Sequence, residues 1–162
     1  MRLNKQKVTP FLWFDHQAEE AAKFYTSIFK NSKLDDVSRY GEDEPGPKKA
    51  VMSVTFELEG QQFIALNGGP QFTFSPAISF FVRCEDQAEV DELWEKLSEG
   101  GEKQQCGCLK DKYGVSWQIV PSVLSELLGD EDAERAHRVV TAMLKMNKLD
   151  IGRLQEAALA TA

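Results

Sequence analysis

The chain has 162 residues, 42% hydrophobic and 28% charged, with a formal net charge of −7. Those values describe one soluble globular domain with a sizeable core, and the acidic balance argues against a nucleic-acid partner, whose phosphates it would repel. No apolar run approaches the roughly 20 residues of a membrane span, and no apolar signal core follows the basic start Met1-Arg2-Leu3-Asn4-Lys5. A cytoplasmic location is expected, and three cysteines suit a reducing compartment better than a disulfide framework.

In chain order, Val8 to Phe14 reads as a buried strand beginning around Pro10. Asp15 is a candidate N-cap for a helix carrying Glu19 and Glu20 in its first turn and Ala21, Phe24, Tyr25 and Ile28 as its stripe. Leu34 to Tyr40 is a strand, and Gly41 to Lys49 an exposed loop. Val51 to Leu58 and Gln62 to Asn67 form a hairpin around Glu59-Gly60. Ala77 to Arg83 is a strand, Gln87 to Ser98 a helix stopped at Gly100-Gly101, and Lys103 to Lys110 another strand. A turn at Asp111-Lys112-Tyr113-Gly114 leads into Val115 to Val120. Three helices follow: one from Pro121 to Leu128, one capped by Asp130, and one capped by Asp150. They are expected to pack on the outer face of the sheet or on a second subunit.

The chain repeats itself. Gln17-Ala18-Glu19 opens a helix after Phe11-Leu12-Trp13-Phe14, and Gln87-Ala88-Glu89 opens another after Phe80-Phe81-Val82, 70 residues later. Each helix is followed by a Gly-led strand, Gly60 to Leu66 and Gly114 to Val120. The fold class is therefore α+β: two paired βαβββ units forming a curved mixed sheet, with C-terminal helices. Such a pair builds a cup able to hold a ligand.

Candidate chemistry is sparse. His16 and His137 read as solvated, and two lone histidines make no metal or general-base site. Cys106 and Cys108 share one strand face by alternation. They are either small core residues or weak candidates for a catalytic thiol, activated by Lys110 or Lys112. Cys84 reads as structural. Asn67 is more often a turn former than a site.

Paired βαβββ units resemble the glyoxalase/bleomycin-resistance/extradiol-dioxygenase superfamily, also called vicinal oxygen chelate proteins. The run Phe11 to Asp15, Ala18-Glu19-Glu20-Ala21, Phe24-Tyr25 and Leu66-Asn67-Gly68-Gly69-Pro70 is similar to its PhnB-like branch, often labelled 3-demethylubiquinone-9 3-methyltransferase. So are Cys106-Gly107, Asp111 to Pro121, and Met143-Leu144-Lys145-Met146. The resemblance implies a glyoxalase-like domain over residues 1–121 (units 7–70 and 76–121), a helical extension over 122–162, and a homodimer.

Metal-dependent relatives bind one divalent ion through first-strand and last-strand side chains. Those positions fall here near Val8 or Thr9, on Ile64, on Ala77 and on Gln118, none of them His, Asp or Glu. No metal and no cofactor are therefore expected. On the same alignment Thr9, Phe11, Trp13, Ser79, Phe81 and Gln118 face the cup as ligand-binding candidates, with apolar walls and few polar groups. The methyltransferase label finds no support at Gly68-Gly69, because Pro70 and an extended stretch follow where a donor site needs a helix. The expected function is metal-free binding of a small apolar or aromatic ligand. The alternatives are an enzyme acting on such a compound (lyase, isomerase or methyltransferase) and an interaction module whose cup is filled by its own side chains. Whether any reaction is catalysed stays open.

Overall fold

The computed structural model describes residues 3–160, so Met1 and Arg2 of the basic start lie outside the described residues. The chain divides between Phe74 and Ser75 into two compact units.

The first unit contains β1 (Phe11–Phe14), α1 (Ala18–Ile28), β2 (Ser32–Arg39), β3 (Val51–Leu58) and β4 (Gln61–Asn67). Its sheet has the order β1-β4-β3-β2, with β1 parallel to β4 and the other pairs antiparallel. Along β1, Leu12 and Phe14 are buried while Phe11 is exposed and Trp13 half-buried, as a period of two requires. Ala18, Ala21, Ala22, Tyr25 and Ile28 form the buried stripe of α1. Tyr25 stacks on Phe56 at 6.1 Å, and Phe56 on Phe63 at 5.3 Å, so the helix is held by the β3–β4 hairpin.

Two local expectations are corrected. The strand begins at Phe11 and not at Val8. Pro10 lacks an N–H and interrupts the ladder. Past that break, the side-chain amide of Gln6 accepts from the Gln62 N–H at 3.0 Å and donates to its carbonyl at 3.1 Å, standing in for a strand residue. Asp15 does not cap α1. The cap position is Gln17, whose side chain makes no capping bond. Instead Asn67, at the end of β4, accepts from the Ala18 N–H at 2.8 Å and donates to the Val51 carbonyl at 3.0 Å. A cap drawn from 49 residues away leaves no local signal.

The second unit repeats the topology with β5 (Phe80–Cys84), α2 (Gln87–Ser98), β6 (Glu102–Lys103), β7 (Cys108–Lys110) and β8 (Ser116–Pro121), in the order β5-β8-β7-β6. The repeat extends to register. Phe11 lies beside Ile64, and Phe81, 70 residues on, lies beside Gln118. Asp86 caps α2 by accepting from the Glu89 N–H at 2.9 Å, while the Glu89 carboxylate accepts from the Glu85 N–H at 2.7 Å.

The strand expected from Ala77 starts at Phe80, because Ser75 draws Ala77 and Ile78 into a turn. The strand expected from Lys103 to Lys110 is split into β6 and β7 by a turn at Cys106-Gly107. There φ is 60° and 78°, and the Cys108 N–H donates to the Gln105 carbonyl at 3.1 Å. Gly107 is obligatory in this turn: a Cβ would lie 2.7 Å from the Ile119 carbonyl oxygen, at a φ that L residues rarely adopt. The 111–114 turn is built on a buried carboxylate. Asp111 accepts from the Tyr113 and Val115 N–H groups at 2.9 and 3.0 Å, and from the Trp117 indole at 2.8 Å.

The tail forms α3 (Val123–Leu128), α4 (Ala133–Met143) and α5 (Ile151–Leu159). Asp132, and not Asp130, caps α4, while Asp150 caps α5 as expected. Asp130 instead accepts from the Asp132 N–H and pairs with Arg135. Val120 of β8 shares a core with Leu124, Val139, Met146, Leu149, Leu154 and Ala158. Gln87 of α2 ties this tail down, donating to the Leu149 carbonyl at 3.1 Å and accepting from the Ile151 N–H at 2.8 Å. Among the described residues no helix is long and apolar enough to cross a membrane.

Candidate functional site

The register of the second sheet sorts its side chains onto two faces. Phe80 and Val82 lie beside Trp117 and Ile119; Phe81 and Arg83 lie beside Gln118 and Val120, with Cys108 opposite Gln118. On the first face Trp117 packs its ring 5.2 Å from Phe80 and is buried with Ile119. The second face is partly covered by the tail, which buries Val120, and partly open. There Phe81, Arg83, Gln118, Val120 and Cys108 floor a cleft of about 300 Å³, walled by Leu124, Ser125 and Leu128 of α3 and by Met143 of α4. Cys106 reaches it from its turn.

The polar groups are few. Gln118 donates from Nε2 to Ser79 Oγ at 2.8 Å, which fixes the amide. Among the described residues, its Oε1 receives no hydrogen bond. Arg83 pairs with Glu85 at 3.2 Å, both well exposed, so its charge stays at the rim. A lining mostly apolar with a few oriented polar groups is the ordinary make-up of a small-molecule site.

The structure thus brings Phe81, Gln118, Cys106 and Cys108 to one cleft, with Ser79 bonded to Gln118. Thr9, Phe11 and Trp13 belong to the first unit and none lines this cleft. Thr9 receives a hydrogen bond from Gln6 at 3.3 Å. Phe11 is exposed. Trp13 donates from Nε1 to the Gly69 carbonyl at 2.9 Å, lies edge-on to Phe72 at 5.0 Å, and covers Gly68 so closely that a Cβ there would sit 2.2 Å from the ring.

The thiols are not arranged as expected. Cys106 sits in a turn with positive φ and not on the strand. Burial, and then the neighbouring Cys106, push the Cys108 thiol up, away from what a nucleophile needs. Lys110 is held by Glu102 at 2.8 Å and Lys112 lies over the Tyr113 ring, so neither is placed as an activator. Cys84 is buried, and desolvation lifts its thiol to about 12. His16 and His137 are exposed.

The positions at which metal-dependent relatives hold their ion carry here a hydroxyl, alkyl groups and an amide. Among the described residues no three His, Cys, Asp or Glu side chains converge. That donor set does not fit a divalent transition metal, which takes imidazole and carboxylate.

The walls from α3 and α4 were not legible as part of the site, because the tail reads as lying outside the repeat. One signal was available. Only Ser122 separates β8 from α3, too short a link to carry an apolar helix away from the strand end. A larger hollow of about 730 Å³ lies in the first unit beside the 41–49 loop. Its lining mixes Asp15, Glu19, Glu20 and Lys23 with Tyr40, Pro45, Pro47 and Val51, and Glu19, held low by Lys23, is ion-paired there.

Residues 6–120 match the family described as 3-demethylubiquinone-9 3-methyltransferase. A Bacillus cereus PhnB protein, itself described as a putative 3-demethylubiquinone-9 3-methyltransferase, is 41% identical over 72% of this chain and all of its own, with a TM-score of 0.67. A Pseudomonas aeruginosa protein shares the fold at 22% identity over 72% of this chain and 98% of its own, TM-score 0.61. So does the fosfomycin resistance protein FosX of Listeria monocytogenes, at 16% identity over 79% of this chain and all of its own, TM-score 0.54. No functionally curated protein matches the chain.

Proposed function

Because the chain belongs to the 3-demethylubiquinone-9 3-methyltransferase family, within the glyoxalase/bleomycin-resistance fold, we propose that it binds a small apolar or aromatic molecule without the superfamily's divalent ion. The observation that carries this reading is the cleft of about 300 Å³ on the second sheet, mostly apolar, with an oriented amide and a rim guanidinium among its few polar groups. The apolar body of the ligand lies against Phe81, Leu124 and Leu128. A hydroxyl or N–H on it donates to Gln118 Oε1, which Ser79 holds in place from the other side of the amide. The ligand-binding domain is then residues 1–121, with 122–162 as the extension that walls the cleft.

Two further observations support binding over the methyl transfer in the family's description. The turn Gly68-Gly69, with Trp13 over the Gly68 side, lines the hollow of the first unit but leads into Pro70 and an extended stretch, with no helix to receive a donor. The raised Cys108 thiol disfavours nucleophilic chemistry at the cleft.

The test is binding of the apolar fluorophore 1-anilinonaphthalene-8-sulfonate to the folded protein. Its emission is expected to rise on saturable, one-site binding. Ser125→Trp, on the exposed side of α3 and lining the cleft, is expected to abolish that site with an unchanged circular-dichroism spectrum. Saturable binding undiminished by Ser125→Trp, or none to either protein, would overturn the reading.

A further inference from the structure

Three sulfur side chains from two distant stretches of chain converge on the cleft: the Cys106 and Cys108 thiols and the Met143 thioether at the end of α4. Their backbones are tied together. The Met146 N–H donates to the Met143 carbonyl at 3.0 Å, and the Met146 carbonyl accepts from the Cys106 N–H at 2.8 Å. One residue on, the Gly107 N–H donates to the Asn147 carbonyl at 2.7 Å. The turn that carries Cys106 and leads into Cys108 of β7 is thus bolted to the segment that leaves Met143. Neither thiol is used elsewhere: among the described residues, neither side chain takes part in a hydrogen bond or disulfide. All three residues are partly exposed and line the cleft.

Donor chemistry selects the guest. Two thiolates and a thioether are soft ligands, and soft sulfur sets favour Cu(I) over harder ions. No imidazole or carboxylate lines the cleft to complete a tetrahedral site for Zn(II). We propose that Cys106, Cys108 and Met143 form a three-coordinate site for a monovalent soft cation, Cu(I). Binding forms two copper–thiolate bonds and one copper–thioether bond, breaks two S–H bonds and releases two protons to solvent. Copper stays monovalent throughout. The complex carries one negative charge, and Arg83, paired with Glu85, lines the same cleft. None of these donors is a position at which the superfamily's divalent ion is expected, and the inference does not depend on the apolar-ligand reading.

The experiment is anaerobic titration of the reduced full chain against Cu(I) held by a colorimetric chelator. One Cu(I) is expected to move to each chain, with ultraviolet thiolate-to-copper absorption, while Zn(II) competes poorly. Cys106→Ser and Cys108→Ser are each expected to weaken binding on the order of 100-fold, and Met143→Leu about tenfold, as a third donor should. Cys84→Ala is expected to change nothing. Met143→Leu preserves volume and tests the site where a cysteine variant fails to fold. No transfer from the chelator, full affinity in Cys106→Ser or Met143→Leu, or equal affinity for Zn(II) would overturn the proposal. Fluorophore binding by the unaltered chain is read in parallel: copper transfer without it, or it without copper transfer, separates this site from the apolar-ligand reading.

Discussion

Replacing Gly68 with alanine tests how the first unit closes its glycine turn. The added Cβ would lie 2.2 Å from Cε2 and Cζ2 of Trp13 and 2.7 Å from Cδ2, so the indole must swing away. Swinging breaks the Nε1 hydrogen bond to the Gly69 carbonyl, a loss of about 1 kcal/mol. It also removes the edge-to-face contact with Phe72, worth about 0.5–1.5 kcal/mol. Alanine restricts the unfolded chain and returns about 0.4–1 kcal/mol, because Gly68 does not sit at positive φ. With the lost burial of the ring, the net cost is about 2 kcal/mol, or about 5 °C in Tm for a chain of this size. The decisive measurement is a double-mutant cycle by urea unfolding, followed by far-ultraviolet circular dichroism. In a Trp13→Ala background the clash is gone, and Gly68→Ala is expected to stabilise by about 0.5 kcal/mol, a reversal of sign. A neutral Gly68→Ala, or an equal cost in both backgrounds, would refute the reasoning.

Asn67→Ala removes the acceptor of the Ala18 N–H and the donor to the Val51 carbonyl, and is expected to cost about 2 kcal/mol in urea unfolding; Asp15→Ala is expected to stay within about 0.5 kcal/mol, since Asp15 does not cap α1. Asp111→Ala takes the acceptor from two buried N–H donors and one partly buried one, and is expected to cost about 3 kcal/mol or more; the loss shows as a lowered urea midpoint, and a shift below about 1 kcal/mol would contradict the turn's construction. Burial lifts the Cys84 thiol from 9.0 to about 12, so the fold favours its protonated form. That preference is fully present below pH 9, and stability is expected to fall by about 1.4 kcal/mol per unit as pH rises from there towards 12. Cys84→Ala is expected to lack this slope, and parallel pH profiles of the two proteins would disprove the assignment.

The duplicated halves were legible because they rest on local signals: period-two apolar runs, helical stripes, and Gly-led strands 54 residues apart. What escaped the sequence depended on partners distant along the chain. Asn67 capping α1 and Gln6 completing the ladder beside Pro10 are tertiary substitutions for local devices, and Asp15 is the residue a local rule selects. The break at Cys106-Gly107 follows from Gly107 pressing against Ile119, which no periodicity announces. At the site, alternation grouped residues within each strand and the alignment on the superfamily's ion positions put Phe81 and Gln118 on one face, the register in which β5 and β8 pair. The walls escaped because α3 and α4 follow the repeat and are apolar along only part of their length.

The family match ends at residue 120, inside β8, yet the second unit does not end there. The Cys106 and Gly107 amides find their acceptors at Met146 and Asn147, and Val120 finds its neighbours in α3, α4 and α5. A polypeptide trimmed to the shared segment would therefore be an unfinished object, with bare hydrocarbon along one strand and two amides facing only water. The 42 residues beyond it (162 minus 120) are better regarded as a wall of the house than as an annexe.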